Sequence, residues 1–247
     1  MTRRIPTIEQ LKAENFEQLF DAAANVRAKD AASKLTSVPE HDLVKKSVLV
    51  REKVFRPGFV YGFLKRFIDV GFSAAALLIF APLWILIIIL IRLDSKGRAI
   101  FFHERVGLNG KTFRLYKFRT MHETVGAQEY APTAPNDARV TRIGKFLRHG
   151  SVDEVPQFWN VLKGDMSLVG PRPEMTFIVE KYNELQKKRL LVKPGLTGLW
   201  QIYGRKDLPL HENAEYDYWY ILHRSAALDL LILLKTVTVV ITGKGAY

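Results

Sequence analysis

Cysteine does not occur in this 247-residue chain, so disulfides and thiolate metal sites are excluded. No HExxH or paired-histidine spacing exists, and the six histidines are scattered, which removes the common imidazole zinc sites. No GxGxxG fingerprint is present. Gly107-Leu108-Asn109-Gly110-Lys111-Thr112 imitates a phosphate-binding P-loop, but its first glycine would have to stand where Arg105 does. The first 58 residues are polar and charged and lack the apolar core of a secretory signal peptide. Acids are scarce beside bases, 25 against 37, for a net charge of +12. That imbalance points to an anionic partner: nucleic acid, anionic lipid or a phosphorylated substrate. No nucleic-acid-binding motif accompanies it, so nucleic acid is not expected.

What the chain does have is one long uncharged run over residues 70–91. As a straight helix its 22 residues would measure roughly 33 Å, enough for a bilayer core of ~30 Å. Two features argue against a plain span. Pro82 stands mid-run, where it removes a helix hydrogen bond and invites a break. Both flanks are basic: Lys45, Lys46, Arg51, Lys53, Arg56, Lys65 and Arg66 before, and Arg92, Lys96, Arg98 and Arg105 after. The positive-inside tendency puts both ends on the cytoplasmic side. A re-entrant helix that bends at Pro82 satisfies both flanks. A spanning anchor satisfies one. Asp69 follows Lys65 and Arg66 at helical spacing, which predicts an ion pair fixing the depth at which the helix enters.

Elsewhere the pattern is that of a mainly helical α+β domain. Residues 1–58 show a weak helical stripe of Ile8, Leu11, Phe16, Leu19 and Phe20. Short strands are predicted over 99–102 and 112–118, joined at Asn109-Gly110 into a β-hairpin. A loop fills 123–138, helices are predicted over 144–148, 155–162 and 175–190, and 194–198 reads as a turn. The apolar segment 225–241 is interrupted by Asp229 and Lys235. It suits an amphipathic helix lying in a membrane interface, or a core helix.

The strongest chemical signal is Asp153-Glu154, set between Arg139, Arg142, Lys145 and Arg148 on one side and Arg172 on the other. Adjacent acids at a helix start complement its dipole. Among so many cations they also suit phosphoryl chemistry as nucleophile and metal ligand. Arg172 lies between Pro171 and Pro173, which hold it stiffly, and arginine matches phosphate oxygens with two parallel bonds. Asp217 sits among Tyr216, Tyr218, Trp219 and Tyr220, a cluster equally suited to an interface or a substrate contact.

From about residue 59 onward the sequence resembles the monotopic phosphoglycosyl transferases, the bacterial sugar transferases. The likeness rests on Lys65-Arg66-x-x-Asp69, Phe101-Phe102-x-x-Arg105-x-Gly107, Tyr116-Lys117-Phe118-Arg119-Thr120-Met121 and Asp137-x-Arg139-x-Thr141-Arg142-x-Gly144. It continues through Ser151-x-Asp153-Glu154-x-Pro156-Gln157, residues 160–167, Val169-Gly170-Pro171-Arg172-Pro173, Lys193-Pro194-Gly195-x-Thr197-Gly198 and the terminal residues 243–247.

The resemblance implies transfer of a sugar 1-phosphate from a UDP-sugar to polyprenyl (undecaprenyl) phosphate, releasing UMP, at the cytoplasmic face of the bacterial inner membrane. It serves the first step of exopolysaccharide, capsule or O-antigen synthesis. It implies Asp153 as covalent nucleophile and Glu154 as a Mg²⁺ ligand. Arg119, Arg148, Arg172 and Arg205 are implied as phosphate-binding cations, with Asp217 as a further site residue. It also implies a proline-broken re-entrant helix in contact with membrane lipids. Ala81-Pro82 stands where the family usually has Ser-Pro, and Val152 where it has Leu or Ile. Large members carry a bundle of membrane helices, unlike the polar residues before 59. The expected organisation is an extension over 1–58, a re-entrant membrane helix over 59–94 with Lys65, Arg66, Asp69 and Pro82 as its anchor and break, and a catalytic domain over 95–247. Self-association through the C-terminal segment or the extension would give a homodimer. A non-catalytic membrane scaffold for polysaccharide assembly is the alternative function.

Overall fold

A computed structural model describes residues 58–122, 137–203 and 214–242. The helical stripe of the extension, nearly all of the 123–138 loop, Arg205 and residues 243–247 lie outside the described residues.

The apolar run forms two helices, α1 (Phe59–Ile79) and α2 (Ala81–Asp94), bent by 61° at Phe80. The cause is local. Pro82 stands in the first turn of α2, where its missing N–H would have no helical partner anyway, so the chain restarts a helix there instead of continuing one. Among the described residues no single helix is long and apolar enough to cross a membrane, whereas this bent pair passes by length and composition. Most of its apolar side chains face outward, among them Phe59, Phe63, Phe67, Leu78, Ile79, Ile85 and Leu93.

After α2 comes the hairpin of β1 (Ile100–Val106) and β2 (Thr112–Phe118), paired antiparallel from Ile100↔Phe118 to Val106↔Thr112. The first strand is four residues longer at its end than its sequence pattern predicts. Asn109 and Gly110 both take positive φ at the turn, as expected of an Asn-Gly pair. That geometry also disposes of the P-loop likeness, since no helix opens after Lys111. Next come α3 (Arg142–His149), a 3₁₀ turn (Val152–Glu154) and α4 (Gln157–Lys163). Thr141 Oγ1 accepts from Gly144 N and caps α3. Gly144 lies so close under Thr120 that a Cβ there would meet its carbonyl oxygen at 2.1 Å.

Two expectations fail in the following stretch. Residues 175–190 form no single helix but α5 (Thr176–Val179), α6 (Glu184–Lys187) and a 3₁₀ turn (Lys188–Leu191). The break is a capping box: Asn183 Oδ1 accepts from Gln186 N, and Gln186 Oε1 accepts from Asn183 N. Residues 194–198 are no mere turn either. They contain β4 (Gly195–Thr197), which runs parallel to β3 (Ser167–Val169). This two-stranded contact needs glycine, because a Cβ on Gly195 would sit 2.1 Å from Gly170 N. The chain closes with α7 (Leu199–Tyr203), α8 (Ala214–His223) and α9 (Ala226–Thr242).

Two apolar cores result. The larger joins Leu115, Val161, Met166, Leu168, Val169 and Trp200 to Tyr220, Ile221, Leu228 and Ile232. The smaller packs Ile87 and Ile91 of α2 on Ala99, Phe118 and Leu147. α9 is therefore a core helix along one face, with an apolar set left exposed on another. Leu228 and Ile232 enter the core, while Leu230, Leu234 and Val237 are exposed.

The Lys65-Arg66-x-x-Asp69 motif does not pair within itself. Lys65 Nζ donates to Asp229 Oδ2 at 2.8 Å and to Val169 O at 2.9 Å. Arg66 donates to the carbonyls of Val161 and Leu162 at the end of α4. Asp69 Oδ1 accepts from Ser167 Oγ and Leu168 N. Helical spacing put the three on one face, but that face packs on β3, α4 and α9, where better partners exist. The motif is a joint between the apolar helix and the segments that flank the acid pair.

Candidate active site

Asp153 and Glu154 occupy the 3₁₀ turn between α3 and α4. Ser151 begins that turn at φ 55°, a left-handed conformation uncommon for a residue with a side chain. It reverses the chain after α3, so both acids point into the protein, each less than a tenth exposed. Burying two neighbouring carboxylates is costly unless cations accompany them.

The cations come from two distant segments. Lys117 Nζ of β2 lies 2.8 Å from Glu154 Oε1 and 3.7 Å from Asp153 Oδ2. Arg172 Nη2 donates to the same Glu154 oxygen at 2.8 Å, with Nη1 3.4 Å from Oε2. Burial pushes the Asp153 carboxyl above the usual carboxylate range; Lys117 opposes the shift and Glu154 adds to it. The charge of Glu154 raises the Arg172 pKa, so that guanidinium stays charged. Arg148 also stands near enough to favour the Asp153 anion. Burial first, and then Arg105, Lys117 and Arg172, push His103 down to about 2, which leaves its imidazole neutral beside the cations.

The Arg172 segment is tied on every side. Gly195 N donates to Pro171 O at 2.8 Å, and Val106 N to Glu174 O at 3.0 Å. Arg105 reaches Pro173 O at 3.4 Å and Glu174 Oε2 at 3.7 Å. Arg189 Nη2 donates to Arg172 O at 2.9 Å. The two prolines are therefore only part of its stiffness.

The structure thus brings Asp153, Glu154, Arg172 and Arg148 together, and leaves two expected residues elsewhere. Arg119 donates to the carbonyls of Ser95 and Lys96, both at 2.6 Å, and to Ser95 Oγ at 2.9 Å. It caps the end of α2 and does not face the acids. Asp217 is enclosed, 1 % exposed, with Oδ2 2.7 Å from Arg189 Nε. It meets a guanidinium, not a substrate-facing surface.

Sequence reasoning missed Lys117 and Arg189. A signal for the first existed: alternation along β2 sets Lys117 on the same face as Phe113 and Leu115, and a lone charge on an inward face is informative. Arg189 follows Lys187 and Lys188 and looks like part of a solvated basic run.

A carboxylate pair held against a lysine and a fixed arginine has the charge arrangement that suits phosphorylated substrates. Residues 60–243 match the family described as bacterial sugar transferase. The chain belongs to that family. Among curated relatives, the UDP-N-acetylgalactosamine-undecaprenyl-phosphate N-acetylgalactosaminephosphotransferase of Aeromonas hydrophila is 39% identical over 196 residues, covering 77% of this chain and 46% of that protein. The undecaprenyl-phosphate galactose phosphotransferase of Salmonella typhimurium is 40% identical over 200 residues, covering 75% and 42% respectively. The exopolysaccharide production protein ExoY of Rhizobium meliloti is 38% identical over 201 residues, covering 75% and 89%. The chain spans less than half the length of the first two relatives. All the residues that build the site around Asp153 fall inside the matched region of this sugar transferase.

Hard oxygen donors such as Asp153 and Glu154 suit a divalent ion shared with substrate phosphates. Among the described residues no group of three acidic, histidine or cysteine side chains forms a closed metal cage. The two carboxylates are hard oxygen donors of the kind that Mg²⁺ takes, and Glu154 already accepts from Lys117 and Arg172.

Proposed function

We propose that this chain transfers a sugar 1-phosphate from a UDP-sugar to polyprenyl phosphate through a covalent Asp153 intermediate. The carrying observation is that Asp153 lies buried beside Glu154 while Lys117 and Arg172 converge on the pair. Donor and acceptor are both anionic, so cations fixed in advance lower the cost of bringing them together.

In the first half-reaction an Asp153 carboxylate oxygen attacks the sugar-linked phosphorus. The bond from that phosphorus to the bridging oxygen breaks, and UMP leaves with the bridging oxygen. In the second, an oxygen of polyprenyl phosphate attacks the same phosphorus, forms the diphosphate link and returns the carboxylate. Lys117 favours the Asp153 anion, and Arg172 and Arg148 face the charge that develops on the phosphoryl oxygens. Glu154 would hold Mg²⁺, which would supply positive charge to neutralise the phosphates.

The acceptor phosphate sits at head-group depth, so the site must lie against a membrane. The bent α1–α2 pair supports that location. Arms of 21 and 14 residues, bent by 61° and tilted equally, would reach roughly 16 and 11 Å deep. That is about one leaflet of a ~30 Å core, and it returns both basic flanks to the cytoplasmic side. The exposed Leu230, Leu234 and Val237 of α9 add apolar surface suited to the same interface.

The test is UMP release from a panel of UDP-sugars with undecaprenyl phosphate and Mg²⁺ in detergent. One sugar giving UMP with wild type and none with Asp153→Asn is the expected result. Full turnover by the variant removes the nucleophile assignment. Folded wild type that releases UMP from no sugar removes UDP-sugars as donors.

A further inference from the structure

Arg189 lies in the 3₁₀ turn Lys188–Leu191 and is 3 % exposed. Its fork makes three separate contacts: Nε to Asp217 Oδ2 at 2.7 Å, Nη1 to the Tyr182 hydroxyl, and Nη2 to Arg172 O at 2.9 Å. Arg172 in turn sets its guanidinium 2.8 Å from Glu154 Oε1. A continuous line of short contacts therefore runs from Asp217 on α8 through Arg189 and Arg172 to the acid pair. Other ties hold the neighbours of Arg172, but among the described residues only Arg189 reaches the Arg172 carbonyl itself.

A buried guanidinium–carboxylate pair adds little stability over apolar side chains of the same volume, because both charges lose their water. What it adds is geometry, since a planar fork with directed N–H groups can be fixed at several points at once. Burial works against the Arg189 charge, and Asp217, Tyr182 and Glu174 together outweigh it.

We infer that Arg189 and Asp217 are positioning residues for the transfer reaction: Asp217 orients the Arg189 fork, and Arg189 fixes the backbone from which Arg172 reaches Glu154. The inference rests on the transferase reading given above. Neither residue meets substrate; both act through Arg172.

A double-mutant cycle on the full chain in detergent tests it, read as kcat/KM for UMP release from the preferred UDP-sugar. Arg189→Lys keeps a cation for Asp217 but loses the fork that also holds Arg172 O. It is expected to lower kcat/KM about tenfold to a hundredfold. In an Arg172→Ala background the same change should cost less than about twofold, because its target is already gone. Equal losses in both backgrounds overturn the inference, since a purely structural role would act whether or not Arg172 is present. Deuterium exchange at the amides of Gly170, Arg172 and Glu174 supplies a readout without turnover. Faster exchange confined to that segment in Arg189→Lys and in Asp217→Asn is expected, and unchanged exchange there overturns the positioning role. Wild type that releases no UMP while exchange behaves as expected would remove the UDP-sugar reading and leave the positioning of Arg172 standing. If Asp217→Asn does not fold, Arg189→Lys carries both measurements.

Discussion

Lys117 Nζ stands 2.8 Å from Glu154 Oε1 and 3.7 Å from Asp153 Oδ2, one ammonium shared by both acids of the turn. No other described side chain forms an ion pair with both. The β1–β2 hairpin carries it there, so the hairpin is a part of the site and not a decoration on the helices.

Replacing this lysine should therefore disable transfer without unfolding the protein. Lys117→Met is expected to lower kcat/KM for UMP release by about 100-fold, the usual cost of removing one fixed donor beside a developing charge. The far-UV circular dichroism spectrum should be unchanged. Activity within about threefold of wild type would show that Arg172 suffices alone.

The pH dependence follows from Asp153, whose pKa burial raises above the carboxylate range. As the nucleophile proposed above it must be ionised, so kcat/KM should fall as pH drops through that raised value. Lys117 is the largest influence holding the value down, so Lys117→Met should move the acid limb to higher pH. For stability the sign is the reverse of the usual carboxylate case. A folded pKa above the unfolded value of about 3.9 means the folded state favours the neutral acid. The contribution of Asp153 is fully present below that unfolded value and is lost as pH rises through the folded one. Asp153→Asn should consequently melt higher than wild type at pH 7, with the gap closing toward pH 4. A variant that melts lower at pH 7 would contradict the assignment of burial as the dominant influence.

Lys65 and Asp229 join α1 to α9 across 164 residues. Asp229 also accepts from the hydroxyls of Tyr61 and Tyr220 at 2.9 and 2.7 Å. Lys65→Met leaves a mostly buried carboxylate without its cation and should cost about 3 kcal/mol, the low end for a broken buried pair because both side chains keep some water contact. Adding Asp229→Asn should recover part of the loss. Thermal unfolding of the four proteins measures the coupling, and simple additivity would mean that the pair does not act as a unit.

The absence of cysteine makes the topology of the apolar pair easy to read. Single cysteines placed at Gly58 and Gly97, on either side of α1 and α2, should both react with a membrane-impermeant maleimide in inside-out vesicles. Neither should react in intact spheroplasts. Opposite reactivity of the two positions would establish a spanning helix.

Local features were legible without the fold. The proline that divides the apolar run, the Asn-Gly turn and the adjacent acids each depend on near neighbours, and each stands where the sequence puts it. Partner choice was not. The i, i+4 spacing of Lys65 and Asp69 predicts a pair, yet Lys65 finds Asp229 because α9 packs against that face of α1. Arg119 has the same parity as Lys117, so an extended strand would aim both at the acids. The strand ends at Phe118, and beyond it the guanidinium meets the free carbonyls that close α2.

By itself, then, the sequence determined the acid pair, the broken apolar helix, the hairpin and the family. Periodicity, proline stereochemistry and motif order are all properties of the chain alone. Only the tertiary structure decided which cations serve the acids. A chain with 37 lysines and arginines offers many candidates for each carboxylate. Coulomb attraction falls with distance and with exposure to water, so the choice belongs to the packing of β2 and of the Arg172 segment around one buried turn.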